Sequence, residues 1–204
     1  HIGHISEVDD ILNLWETNED LIKIRNGDEE LIEHLCGYCI RGAQAGARNS
    51  FYSRQQWNLK TDGKIRYLEF TTSNICNQTC VTCSSYYSSK WLPLEHSAME
   101  MSLPLDKWKT PGRGGFNDFD HPTYRMTDDD IEKILPLLPD LQRIDIKGGE
   151  PFADPNNILI LKKLAETNPT CRVEICTNFQ LVTVYVIDLL HQINEVYIQA
   201  SIDG

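Results

Sequence analysis

Three closely spaced cysteines are the residues of this chain with the most specific chemistry. Cys76, Cys80 and Cys83 have the spacing C-x3-C-x2-C and directly follow a predicted strand at residues 65–72. Thiolates are the usual protein ligands of iron–sulfur clusters, and three cysteines leave one iron of a four-iron cluster without a protein ligand. The spacing therefore predicts a site for a 4Fe-4S cluster, written [4Fe–4S] below, with one iron open to a small molecule.

Two other interpretations of the cysteine run stay open. C-x2-C pairs are common zinc ligands, but zinc usually takes four ligands, and the nearest second pair, Cys36 and Cys39, lies far upstream. A disulfide interpretation is weaker, because seven cysteines is an odd number. The alternative to an enzyme is thus a non-catalytic module that binds zinc or an iron–sulfur cluster.

Charge and hydropathy exclude two classes of partner. The net charge is −11, from 19 basic and 30 acidic residues, and nucleic-acid binding draws on clustered Lys and Arg. We therefore expect no nucleic acid. No apolar run has the length that crosses a bilayer, so we also expect no membrane segment, and the reducing cytoplasm is the expected location.

The pattern of the chain changes near residue 64. Residues 1–63 read as a helical N-terminal region that contains the Cys36/Cys39 pair, and residues 64–204 alternate between strand and helix. Such alternation predicts an α/β fold with parallel strands and helical crossovers. The predicted helices cover residues 8–15, 19–24, a segment opening at Asp28, segments starting at Thr127 and Asp154, and residues 181–191; the predicted strands cover 65–72, 143–147, 172–176 and 195–201.

Each predicted strand alternates apolar with polar residues. Strands covered by helices on both faces are nearly continuous apolar runs, so the alternation indicates a sheet with one apolar face beneath helices and one polar face. We expect the polar face to line a wet cavity, with function at the carboxyl ends of the strands. The polar set is Glu69, Thr71, Asp145, Lys147, Glu174, Cys176, Asn178, Gln199, Ser201 and Asp203.

Further motifs follow the other predicted strands. Gly148-Gly149-Glu150-Pro151 follows the second strand, Thr177-Asn178 ends the third, and Ser201-Ile202-Asp203-Gly204 ends the fourth. With the cysteine run, this arrangement resembles the radical S-adenosylmethionine (radical SAM) superfamily. The resemblance implies a partial, open βα barrel, of which four strands are present here behind a helical N-terminal segment.

The resemblance also implies cofactors, roles and partners. Cys76, Cys80 and Cys83 would hold the cluster, and S-adenosyl-L-methionine (SAM) would occupy the open iron. Reductive cleavage of SAM would then give a 5′-deoxyadenosyl radical that abstracts hydrogen from substrate, with flavodoxin or ferredoxin as electron donor. The residues that would contact SAM are Gly148, Gly149, Glu150, Pro151, Asn178, Ser201 and Asp203.

The Gly148–Pro151 motif has a physical rationale. Two glycines allow a ligand to approach the backbone closely. Glu150 can accept a hydrogen bond from the methionine ammonium group, and Pro151 stiffens the turn.

One feature of this chain departs from the radical SAM pattern, and another resembles a subset of that superfamily. Thr82 stands where many members have an aromatic residue near the adenine, and Tyr86 or Tyr87 can take that place. Cys36-Gly37-Tyr38-Cys39 loosely resembles proteins of the twitch and SPASM type, so Cys36 and Cys39 are candidate ligands of an auxiliary cluster. Relatives of that type imply a peptide or protein substrate, with a small metabolite as the second choice.

Two expectations concern the insertion and the ends. A Pro/Gly-rich insertion at residues 92–124 follows the cysteine run, and we expect its aromatic residues to shape substrate specificity or to form a lid. Because the chain starts at His1 and stops at Gly204 directly after a strand, we expect a fragment whose unpaired fourth strand promotes self-association.

Overall fold

The computed structural model describes residues 5–48, 56–101 and 124–202. The chain divides into two units, His1–Arg66 and Tyr67–Gly204. Within the three described ranges, no helix has both the length and the apolar character needed to cross a membrane.

Short helices that begin at side-chain caps make up the described part of the first unit. They are α1 (Ile11–Thr17), α2 (Glu19–Arg25) and α3 (Glu29–Gln44). The Asp10 carboxylate accepts a 2.9 Å hydrogen bond from the backbone N–H of Asn13, which starts α1 three residues after the predicted start. Asn18 and Asp28 cap α2 and α3 in the same way.

The described strands of the second unit form one parallel sheet. They are β1 (Tyr67–Thr71), β2 (Arg143–Lys147), β3 (Arg172–Thr177) and β4 (Glu195–Ala200), in the order β1-β2-β3-β4. The register pairs Leu68 with Ile144 and Ile144 with Val173, so residues of like character share a face. The predicted α/β class and parallel strands are confirmed, with differences of one or two residues at some strand ends.

Side-chain caps start three of the four described α-helices in the second unit. They are α4 (Trp91–Glu100), α5 (Asp128–Ile134), α6 (Pro155–Thr167) and α7 (Val184–Leu190). Thr127 and Asp130 form a reciprocal capping box at the start of α5. Thr183 caps α7, so the helix starts at Val184 rather than at residue 181.

The apolar face of the sheet forms the core together with the helices that follow. A 3₁₀ helix, Leu135–Asp140, extends α5, and α6 packs against it and against α7. On the apolar face, Phe70 of β1 and the apolar residues of β2 and β3 are buried, Leu68 of β1 is half-buried, and Ile198 of β4 is 37% exposed. Since β4 is an edge strand, the described helices cover it less. The fully buried side chains include Ile131, Ile134, Leu137, Leu138, Ile144, Ile146, Ile160, Leu161, Leu164, Val173 and Ile175.

The polar face is drier on β2 than the sequence predicts. Arg143 is only 7% exposed and Asp145 only 6%, and the Arg143 Nε donates to Asp145 Oδ1 at 2.8 Å. Arg143 also pairs with Glu174 on β3. Two carboxylates thus share one guanidinium where a wet cavity was expected, and a buried charge is stable only when it is paired. Glu69, in the same row of the sheet as Asp145, pairs with Lys147 at 3.0 Å, and this pair is half exposed.

The insertion after the cysteine run begins with regular structure. We predicted an irregular segment from residue 92, but Trp91–Glu100 is helical. Pro93 lies in the first turn of this helix, where its missing N–H removes no helical hydrogen bond. The three aromatic residues Trp108, Phe116 and Phe119 lie outside the described residues, so their predicted role in specificity stays a prediction.

Candidate functional site

The motifs that follow β1, β2, β3 and β4 meet at one edge of the sheet. All four strands are parallel, so their carboxyl ends lie side by side. This edge holds the loop after β1, which carries the three cysteines and is here called the cysteine loop (residues 73–83).

Gly148 and Gly149 allow close approach of the chain's own backbone. A Cβ atom on Gly149 would lie 2.1 Å from the carbonyl oxygen of Ile75, and one on Gly148 would lie 2.6 Å from that of Ser73. Gly148 also has a φ of +129°, which favours glycine. The start of the cysteine loop makes this close approach, and the ligand expected at the two glycines stays a prediction.

Hydrogen bonds fix the same contact. The backbone N–H of Gly149 donates to the Ser73 carbonyl oxygen at 3.2 Å, and that of Glu150 donates to the Ile75 carbonyl oxygen at 2.8 Å. The residue directly before Cys76 is thus anchored to the segment after β2.

Glu150 is buried at the centre of this edge. Its side chain is 1% exposed. One carboxylate oxygen accepts from the Thr177 hydroxyl at 2.6 Å and from the Phe152 N–H at 3.2 Å, and the other accepts from the Asn178 N–H at 2.8 Å. Three donors within the chain therefore use much of the capacity of a carboxylate, and Glu150 connects the ends of β2 and β3.

Asn178 connects the end of β3 to the cysteine loop. Its side-chain N–H donates to Asn77 Oδ1 at 2.7 Å, and the Asn77 side-chain N–H donates to Gln180 Oε1 at 3.0 Å. Ser201 joins through backbone, because its N–H donates to the Thr177 carbonyl oxygen at 2.8 Å. Its hydroxyl also lies 3.3 Å from the Cys176 sulfur.

The structure thus brings most of the predicted site residues together. Asp203 lies outside the described residues and stays a prediction. The predicted members of this edge in the described ranges are Gly148, Gly149, Glu150, Pro151, Asn178, Ser201 and the three cysteines.

Cys76, Cys80 and Cys83 are all half-buried thiols. The Cys80 thiol contacts Gln78 Oε1 at 3.4 Å and the Cys83 thiol contacts the Ser84 carbonyl oxygen at 3.7 Å. Across the described ranges, no three His, Cys, Asp or Glu side chains are grouped closely enough to hold a metal ion. The donor set nevertheless suits an iron–sulfur cluster in its chemistry, because three partly accessible thiols follow an anchored backbone.

The segment after the cysteines closes over their loop, which the sequence did not indicate. The Ser88 hydroxyl donates to the Gln78 carbonyl oxygen at 2.7 Å, and the Trp91 indole N–H donates to the Cys80 carbonyl oxygen at 3.1 Å. Glu95 on α4 is 4% exposed and accepts from the Ser85 N–H at 2.9 Å. The cysteine loop is therefore held from both of its ends.

The aromatic residues near the site are exposed. Tyr86 is 60% and Tyr87 41% exposed, and their rings meet edge to face with centroids 4.8 Å apart. Phe179, which the sequence analysis did not single out, is 49% exposed and has a φ of +66°. No sequence signal marked this residue, since a positive φ is usually announced by Gly or Asn.

The other cysteines have different environments. All seven cysteines lie in the described ranges and none is in a disulfide. Cys36 and Cys39 lie one turn apart on α3 in the first unit and are half-buried, so their auxiliary role stays a prediction. Cys171 is fully buried before β3, and burial raises the pKa of its thiol to about 12.

The chain was compared with protein-family models and with curated protein sequences, and neither comparison finds a match.

Proposed function

We propose that this protein is a radical SAM enzyme, in which Cys76, Cys80 and Cys83 hold a [4Fe–4S] cluster. When bound, such a cluster supplies the electron that cleaves SAM and so starts hydrogen abstraction from a substrate. The sheet would then be part of an open βα barrel whose concave side is the polar face.

One observation carries the proposal: the hydrogen-bonded convergence of the cysteine loop with two further motifs. The N–H of Glu150 donates to the carbonyl of the residue before Cys76. Asn178 joins the loop through Asn77. Cysteine spacing alone is compatible with zinc. The Gly-Gly-Glu-Pro and Thr-Asn motifs, which belong to the radical SAM resemblance, lie beside the same loop and favour the iron–sulfur assignment.

The proposal divides the site residues into two groups. Gly149 and Glu150 act as positioning residues, because their contacts are made within the chain. Pro151 starts the 3₁₀ helix Pro151–Ala153 behind them. Gly148, which also approaches the backbone of the cysteine loop, belongs to the same group. Asn178 and Ser201, together with Asp203 and the cysteines, are assigned to the cofactors.

The partners follow from the same proposal. The half-exposed pair Lys147 and Glu69 on the polar face suits a substrate with both donors and acceptors, such as a peptide, with a small metabolite as the second choice. A reduced flavodoxin or ferredoxin would supply electrons. The reducing cytoplasm is the proposed location, because cluster ligation requires reduced thiols.

A SAM cleavage assay tests this function. The protein is reconstituted anaerobically with iron and sulfide, reduced with dithionite and given SAM, and 5′-deoxyadenosine is measured. We expect release of 5′-deoxyadenosine by the wild type and none by the Cys76→Ala, Cys80→Ala, Cys83→Ala triple variant.

The Cys36→Ala, Cys39→Ala double variant is the matched control, because it also removes half-buried thiols. Its cleavage should persist if Cys76, Cys80 and Cys83 alone hold the reacting cluster. Equal product from the wild type and the triple variant would refute the proposal.

A further inference from the structure

Phe179 has a backbone conformation that its side chain disfavours. Its φ is +66°, and among the described non-glycine residues only Asn58 shares a positive φ, at +50°. Asn adopts this region readily, but a bulky residue does so rarely. Such a conformation at one residue shifts the folding equilibrium of the protein toward the unfolded state by about five- to thirtyfold.

Burial of the ring does not offset this unfavourable conformation, because the side chain is 49% exposed. The backbone is nevertheless held in place. The Phe179 N–H donates to the Thr177 hydroxyl at 3.0 Å, and the Gln180 N–H donates to Asn178 Oδ1 at 3.0 Å. A strained residue that contributes little to the core and is held on both sides points to a functional role.

The position of Phe179 indicates what that role involves. Its two neighbours in sequence, Asn178 and Gln180, are both hydrogen bonded to the side chain of Asn77. Asn77 directly follows Cys76. Phe179 therefore belongs to a segment that is bonded to the cysteine loop on both sides of this residue, and its ring is exposed.

We propose that Phe179 provides the surface on which the adenine of SAM stacks. This inference rests on the proposed function, and adenine is the only aromatic group of SAM. Thr82, within the cysteine loop, has no ring to offer, and the rings of Tyr86 and Tyr87 contact each other edge to face. Stacking on an aromatic ring does not require the base to be recognised by hydrogen bonds.

Binding measurements on the reconstituted protein test the inference without relying on turnover. The dissociation constants of SAM and of methionine are measured by anaerobic equilibrium dialysis for wild type, Phe179→Ala and Phe179→Tyr. We expect Phe179→Ala to bind SAM about 5- to 150-fold more weakly, which corresponds to the loss of one base–aromatic stack. Phe179→Tyr should bind like the wild type, and methionine, which lacks the base, should bind all three proteins equally.

Tyr86→Ala tests the competing position for the adenine, because Tyr86 carries a similarly exposed ring in the segment after the cysteines. It should bind SAM within about twofold of the wild type, a change below the smallest stacking effect. A larger loss in Tyr86→Ala than in Phe179→Ala would assign the adenine to Tyr86 and overturn the inference.

Thermal unfolding of Phe179→Gly checks that the ring does not serve the fold. Relief of the positive φ should leave its melting temperature at or above that of the wild type, with Asn58→Gly as the matched variant of the other positive-φ residue. A marked decrease for Phe179→Gly alone would make Phe179 a structural residue and overturn the inference.

The outcomes for the two proposals differ. Unchanged SAM affinity in Phe179→Ala, or an equal loss of SAM and methionine affinity, overturns the role of Phe179 and leaves the proposed function standing. A reconstituted wild type that binds no SAM overturns both.

Discussion

Cys171 and Cys76 have the same side chain, but their thiols lie in different environments. Cys171 is fully buried and its raised pKa comes from the loss of hydration that burial imposes on the thiolate. Cys76 is half-buried at the sheet edge. Cys171 lies directly before β3, in the core.

The raised pKa of Cys171 predicts a pH-dependent stability. An unfolded thiol titrates near pH 8.5, so above that pH the unfolded chain releases a proton that the native state keeps. The stabilising contribution is complete below about pH 8.5 and is lost as the pH rises toward the native pKa of about 12. Between pH 8 and 10, we expect the free energy of unfolding of the wild type to fall by roughly 1 to 2 kcal/mol more than that of Cys171→Ala.

Urea denaturation under reducing conditions at both pH values measures this difference. Cys36→Ala, which removes a half-buried thiol, should retain the pH dependence of the wild type. The same pH dependence in Cys171→Ala and wild type would contradict the buried-thiol assignment.

At the scale of elements, Glu150 joins the ends of β2 and β3. Removing its carboxylate leaves the Thr177 hydroxyl and the Asn178 N–H without their acceptor. Because unsatisfied buried donors are unfavourable, we expect Glu150→Ala to lower the free energy of unfolding by at least about 2 kcal/mol. Chemical denaturation of the apoprotein measures this loss without any cofactor.

Glu166→Ala is the control for Glu150→Ala. Glu166 is an exposed residue on α6 whose ion pair with Lys163 spans 2.9 Å, and such surface pairs contribute about 0 to 1 kcal/mol. If both variants lose equally little stability, Glu150 does not connect the strands as described, and a direct role toward a ligand becomes the better interpretation.

The elements also show what the sequence could and could not predict. The strands were predictable because a period-two alternation has one structural explanation when one face is buried. Helix α4 was missed because Pro93 resembles a loop signal, although proline is tolerated in a first turn. The bonds from Asn178 to Asn77 and from Thr177 to Glu150 join residues 101 and 27 positions apart, and no local pattern specifies such pairs.

At the scale of the whole molecule, acidic residues outnumber basic ones, and three basic side chains of the sheet are paired with carboxylates. Arg143, Lys147 and Arg172 each lie within ion-pair distance of a carboxylate on the described strands. The polar face therefore presents compensated charge rather than a basic surface for a phosphate backbone. That the protein binds no nucleic acid stays a prediction.

The whole-molecule expectation of a site at the carboxyl edge depended on topology more than on any single motif. Parallel strands bring their ends together whatever the intervening sequence, so the meeting of the predicted segments could be foreseen. Which atoms come into contact could not be foreseen from the topology. The two glycines allow close approach of the backbone of Ser73 and Ile75, which no local pattern specified, and the ligand predicted beside them stays a prediction.

Metal and sulfide content after anaerobic reconstitution tests the central claim most directly, namely that Cys76, Cys80 and Cys83 hold a [4Fe–4S] cluster. Iron, sulfide and zinc are measured per chain in the wild type, in the triple alanine variant of these cysteines and in the Cys36→Ala, Cys39→Ala control. We expect about four irons and four sulfides per chain that the control retains and the triple variant loses; any iron bound through Cys36 and Cys39 would be lost in the control alone. Stoichiometric zinc without iron in the wild type would contradict the claim.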